Sequence, residues 1–322
     1  MQEQIDKSVS IGKSGTYVLL TLTAIFWGSA FVFSKVAENS APPVVAAFFR
    51  FGLGAILGVV MMLVQKARNP NFVAIPKTAW KDTIILGLVG VTGYNLFFFG
   101  GLSLSQSSDG SMIIPTLSPA ITIILAGLFL KERFRKNQTI GLFITLIGAM
   151  IFFSAIVFLR TPSGMHRMIG DGMFLASAVL WAINTLLSKR ITSRVDPFLV
   201  MTYAMVFGSI VLGAIAFPQL IHLNWSSLSW GFWVNEGYLA LFSSVLANWF
   251  YYLGVHRIGP SRASVFMYFV PVSALIIAGF VLGETLTMTQ LLGAALMMVG
   301  VWQINRKSRS KVVNTENSMS ID

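Results

Sequence analysis

Two aromatic–cation triplets raise the first chemical question. Trp27, Phe31 and Lys35 are spaced by four, as are Trp181, Thr185 and Lys189, so each set shares one face of a helix. An aromatic ring above a cation suits an organic solute and can neutralise a carboxylate. The plainer alternative is that both lysines, at the ends of apolar stretches, extend toward a membrane surface and that the two tryptophans pack between helices. Arg50 is harder to explain away. It falls about six residues into an apolar stretch, or ~9 Å deep at ~1.5 Å per residue. Ionised groups at such depth are costly and face the protein interior or a water-filled cavity. Its role is either in substrate binding or gating, or that of a charge bonded to backbone carbonyls at a helix end.

A second set is polar without being charged. Tyr94, Asn95, Asn184, Asn248 and Tyr251 lie inside apolar stretches, and buried amides and phenols need partners. They serve either as helix-to-helix hydrogen bonds or as substrate contacts. Pro115, Pro119 and Pro271 each remove a backbone donor inside a stretch, which gives either a static kink or a break where gating occurs. Glu132 and Glu284 end two stretches. They suit a structural role at the next helix N-terminus better than a proton-coupling one. Gly54 with Gly58, and Gly279 with Gly283, allow close helix contact.

Several chemistries are excluded. The chain has no cysteine, so disulfides, thiolate metal sites and cysteine nucleophiles are ruled out. It has no Gly-rich phosphate loop ending in Lys-Ser or Lys-Thr. His166, His222 and His256 are scattered, with no metal-binding spacing. The acidic residues form no close pair within an apolar stretch. No enzyme, no cofactor and no metal site are expected.

The elements that must position these residues are membrane helices. Only 11% of the 322 residues are charged and 55% are hydrophobic, against about 25% charged in a soluble domain. Apolar stretches of spanning length fall near 17–37, 44–64, 82–102, 110–130 and 138–158, and again near 171–190, 197–217, 236–254, 262–282 and 287–305. The first is read as an uncleaved span. The longest loop, 218–235, carries Trp225, Trp230 and Trp233, which suit the membrane surface, with a substrate lid as the alternative. With both termini placed in the cytoplasm, inside segments hold 19 Lys and Arg, and outside loops hold only Arg160 and Arg167. That bias sets the orientation and accounts for the net charge of +11 without nucleic acid.

The chain repeats itself. Trp27, Ser34, Lys35 and Pro43 recur at a constant offset as Trp181, Ser188, Lys189 and Pro197. At a second, nearly equal offset, Pro119, Glu132, Gly141 and Gly148 recur as Pro271, Glu284, Gly293 and Gly300. Five spans per half is an odd number, so the halves face opposite ways. Inverted repeats are the architecture of secondary transporters. The repeated segments also carry a resemblance. FWGSAFVFSK (26–35) with PPVVAAFFRF (42–51), the stretch from Tyr94 through SDGSMIIPTLSPAITIILAGLFLKERF (108–134), and GPSRASVFMYFVPVSALIIAGFVLGETL (259–286) resemble EamA-type domains of the drug/metabolite transporter superfamily. That resemblance implies a central cavity lined by helices one, three, four, six, eight and nine. Arg50 has Ala204 as its equivalent in the second half, so any role for it is asymmetric.

The expected fold is an all-α membrane protein of ten transmembrane helices in two inverted five-helix repeats. The segments are a cytoplasmic N-terminal stretch 1–16, a first repeat 17–158, an extracytoplasmic linker 159–170, a second repeat 171–305 and a cytoplasmic polar tail 306–322. The expected function is a secondary transporter, an exporter of amino acids or similar small metabolites by alternating access, in the bacterial cytoplasmic membrane. Alternatives are an exporter of cationic or lipophilic toxic compounds, or a non-transporting membrane sensor. Partners would be a small-molecule solute and membrane lipid, with a homodimer left open.

Overall fold

Long apolar runs with little charge leave a backbone in lipid one option among single segments, which is to satisfy its own N–H and C=O groups as a helix. The computed structural model describes residues 12–38, 40–69, 72–105, 107–131, 136–157, 165–282 and 288–305, and among these it contains helices and no strand. The helices are α1 (Lys13–Glu38), α2 (Pro43–Arg68), α3 (Lys77–Leu104), α4 (Ser107–Phe129), α5 (Lys136–Val157), α6 (Met165–Thr192), α7 (Pro197–Leu220) and α8 (Trp230–Ile258). The next, α9, runs without a break through Pro260–Ser264, Val265–Tyr268 and Phe269–Leu282, and α10 is Met288–Asn305. Among the described residues, six are long and apolar enough to cross a membrane: α1, α2, α3, α6, α7 and α8. Shorter apolar helices occupy Ile113–Phe129 and Leu291–Ile304.

Local chemistry sets the ends. Pro43, Pro197 and Pro260 stand at first helical positions, where a missing N–H costs nothing. Asp196 caps α7, accepting from the Phe198 and Leu199 amides at 2.9 and 3.3 Å. Burial raises its pKa above the usual carboxylate value, and those two bonds oppose the rise. Ser229 caps α8. The helix therefore starts at Trp230, six residues ahead of the apolar stretch near 236–254, and two of the three loop tryptophans fall within it. Gly259, at φ 87°, makes the single-residue joint between α8 and α9, a conformation that favours glycine.

The packing is symmetric under exchange of each helix with the one five places on. α5 lies along α10 and α2 along α7. The contact of α1 with α9 is mirrored by α6 with α4, and that of α1 with α8 by α6 with α3. The repeated glycines explain the tightest of these contacts. A Cβ on Gly148 would lie 2.7 Å from the Met297 nitrogen and 2.9 Å from the Gly293 oxygen, while one on Gly141 would lie 2.8 Å from the Gly300 oxygen. Ascending α5 thus descends α10, so these mates are antiparallel. The same holds for α2 and α7, where Phe48 meets Gly213, Gly54 meets Met205 and Gly58 meets Thr202.

Candidate functional site

Where the two halves meet lies a half-open cavity, whose empty space, open solvent included, is about 880 Å³. Among the sequence-derived candidates, Trp27, Phe31, Arg50, Tyr94, Asn95, Pro115, Trp181 and Asn248 line it. Asn184 and Tyr251 stand behind its wall. Asn184 accepts from Tyr252 Oη at 2.9 Å, and Tyr251 shares a 3.0 Å hydrogen bond with Thr185. Pro119 and Pro271 are buried in α4 and α9 away from the lining. The Lys35 side chain, and Glu132, Gly283 and Glu284 entirely, lie outside the described residues. Segments 1–11 and 306–322 lie outside them too. Lys189 donates to the His256 carbonyl at 2.6 Å, an end-of-helix contact.

The lining is aromatic on one side. Trp27 and Trp181, equivalent positions of the two halves, meet edge-to-face at 5.0 Å and 88°. Tyr94 packs on Trp181 at 5.3 Å and stacks on Phe98 at 5.9 Å. Phe31 meets Phe98 at 6.2 Å. The expectation of a cavity lined by helices one, three, four, six, eight and nine is corrected here, because α2 and α7 line it as well, through Arg50, Phe51, Met201, Ala204 and Met205. Arg50 and Ala204, equivalent positions of the two halves, thus both line it, one cationic and one neutral.

Arg50 is held from the other half. Its Nε donates to Ser244 Oγ at 3.0 Å and its Nη2 to Ser243 Oγ at 2.6 Å, and its guanidinium lies 5.2 Å from the Phe51 ring centre. A guanidinium has more donors than these two hydroxyls take up. The partners belong to α8, not to backbone carbonyls at a helix end. Glu236, also on α8, is 1% exposed. Its Oε2 has no hydrogen-bond partner among the described residues, and its charge interacts with that of Arg50. Reading the sequence alone missed Glu236, because its apolar stretch starts only there and the residue looked terminal.

Two of the helices that line the cavity widen there. α3 has a π-helical stretch at Leu88–Gly93, and α8 has one at Leu239–Leu246. Such wide turns concentrate at functional sites. Just past each, an asparagine donates to a carbonyl within it four residues back, Asn95 to that of Val91 at 2.6 Å and Asn248 to that of Ser244 at 2.7 Å. The α8 stretch presents Ser243 and Ser244 to Arg50, and Trp27 Nε1 donates to the Ser243 carbonyl at 3.2 Å. The loop tryptophans behave differently from one another. Trp225 and Trp233 pack on Phe49 at 5.9 and 5.1 Å, whereas Trp230 is 81% exposed.

Comparison with known proteins gives one consistent answer. The EamA-like transporter family matches residues 14–154 and 168–306. The chain is 29% identical over 307 residues to the uncharacterized transporter YyaM of Bacillus subtilis, covering 95% of this chain and 98% of that one. It is 26% identical over 297 residues to a Salmonella typhimurium protein named "Probable amino-acid metabolite efflux pump", covering 88% and 92%. A solved crystal structure shares the fold, with TM-score 0.74 and 17% identity over 91% of this chain and 98% of that one.

Proposed function

Because the chain belongs to the EamA-like transporter family, we propose that this multi-pass protein of the cell membrane is a secondary carrier exporting amino acids or similar small organic metabolites by alternating access. In this reading ten spans form two inverted halves, near 17–158 and 171–305, with both termini in the cytoplasm. The observation that carries it is the cavity between the halves, aromatic on its walls and holding a half-buried arginine with donors to spare. Aromatic rings bury the apolar part of a solute and Arg50 takes its carboxylate, for which the planar fork is matched. The efflux pump in the name of the Salmonella relative supports the same class. Exchange of equivalent helices is what alternating access requires, since each half can adopt the conformation of the other. The aromatic lining also suits a cationic or lipophilic toxic compound, but a fixed arginine disfavours a cation there.

Purified protein in liposomes, preloaded with a mixed pool of unlabelled amino acids and organic acids, should show counterflow of at least one labelled member. Folded protein that exchanges none of them would end the carrier reading.

A further inference from the structure

The geometry points to Glu236 as a proton site coupled to the occupancy of Arg50, so that a solute of net negative charge is carried together with a proton. This rests on the cavity being the solute site proposed above. Glu236 belongs to the second half of the chain, yet the first turns of α8 pack against α1 and α2 of the first. Its carboxylate is almost completely buried and one oxygen has no hydrogen-bond partner among the described residues. A buried carboxylate in that condition depends on a compensating charge. Arg50 from α2 supplies it.

The other groups around Glu236 do not replace Arg50. From α8 itself, Tyr238 is engaged with Ser29 of α1 at 2.8 Å, and Asn235 donates to the Phe33 carbonyl at 2.8 Å. From α3, the Tyr94 phenol shares the field of Arg50. The end of α1 carries Lys35 and Glu38, whose side chains lie outside the described residues.

Counting charge gives the coupling. With the cavity empty, Arg50 and Glu236 sum to zero. When a solute carboxylate binds Arg50, an ionised Glu236 would leave a net negative charge in a low-dielectric site, where an uncompensated charge is costly and the group neutralises instead. A proton taken from the water on the open side restores zero. Empty and loaded forms are then both neutral, and both can reorient. The forms that carry a net charge, solute without proton or proton without solute, are held back. Linkage is reciprocal, so a proton on Glu236 also tightens solute binding. Export on this scheme runs on the solute's own gradient.

Benzoate, a ring with one carboxylate, is a suitable probe. Trp27 and Trp181 line the cavity, so tryptophan fluorescence follows its binding to the full chain in detergent. Between about pH 6 and pH 8, where benzoate itself stays ionised like other carboxylates, affinity should weaken as pH rises, by up to about tenfold per unit for one linked proton. Glu236→Gln, which mimics the protonated acid, should bind at the tight low-pH value throughout. The unsubstituted protein, in weak buffer with an indicator dye, should take up about one proton per benzoate bound where Glu236 is ionised, a readout that needs no variant to fold. Benzoate binding that is flat with pH and without proton uptake overturns the coupling while leaving the cavity reading intact. So does a Glu236→Gln protein that keeps the pH slope. If the unsubstituted protein binds no benzoate at any pH, the carboxylate reading of the cavity fails first and the coupling falls with it.

Discussion

Arg50 shows how much a single side chain can reveal and hide. Its depth within an apolar stretch marks it in the sequence, because a charge there needs an explanation. The partners were not legible. Ser243 and Ser244 are small hydroxyls of a kind found in many membrane helices, and nothing local says that they face a helix almost two hundred positions away. Glu236 was missed for a different reason. Hydropathy starts the stretch at that residue, whereas the Ser229 cap starts the helix at Trp230, so an interior acid read as a terminal one. If Arg50 anchors a carboxylate, Arg50→Ala should weaken the apparent affinity for an exchanged solute by about 10–100-fold, the range of a charged hydrogen bond. Arg50→Lys should fall between, keeping the charge without the fork. Concentration dependence of counterflow measures both, and an unchanged affinity in Arg50→Ala would remove the residue from the site.

Elements were more legible than sites. Each helix contains or nearly contains the apolar stretch read from the sequence, and the repeated glycines of α5 and α10 turned out to be one another's contacts. That pair makes a sharp prediction. A Cβ at Gly148 meets backbone at 2.7 Å, and backbone cannot swing aside as a side-chain tip can. Gly148→Leu should therefore destabilise by at least about 1–3 kcal/mol, the range for overpacking, seen as a lower melting temperature in detergent. Gly172→Leu, at a position with nothing within 4 Å, is the control and should leave it unchanged. Equal melting of the two would mean that α5 and α10 do not cross as described. The π-helical stretches of α3 and α8 were illegible, since a wide turn has the same apolar composition as the α-helix around it. Only Asn95 and Asn248 hinted at it, as amides without a stated partner. The lining role of α7 was hidden for a similar reason. Met201, Ala204 and Met205 are apolar and would suit lipid, core or cavity equally.

At the scale of the molecule, the basic residues predict a direction that the packing does not address. A chain without cysteine can report it cleanly through single introduced thiols. Ser226, exposed between α7 and α8, should as Ser226→Cys react with a membrane-impermeant maleimide added to intact cells. Ser193, exposed between α6 and α7, should as Ser193→Cys react only after the membrane is opened. The reverse pattern would invert the topology, and labelling of both from outside would break the alternation of spans.

The antiparallel seam of α5 and α10 has a consequence for ancestry. Gly141 meets Gly300 while Gly148 meets Gly293, and these are two copies of one contact, each residue facing the counterpart of the other's neighbour. That self-complementary pattern defines a two-fold dimer of identical chains. A single five-helix polypeptide inserted in both directions could form the same seam from one gene. Duplication and fusion would then lock in one orientation for each copy, and would free a position such as Arg50 to differ from its twin at Ala204.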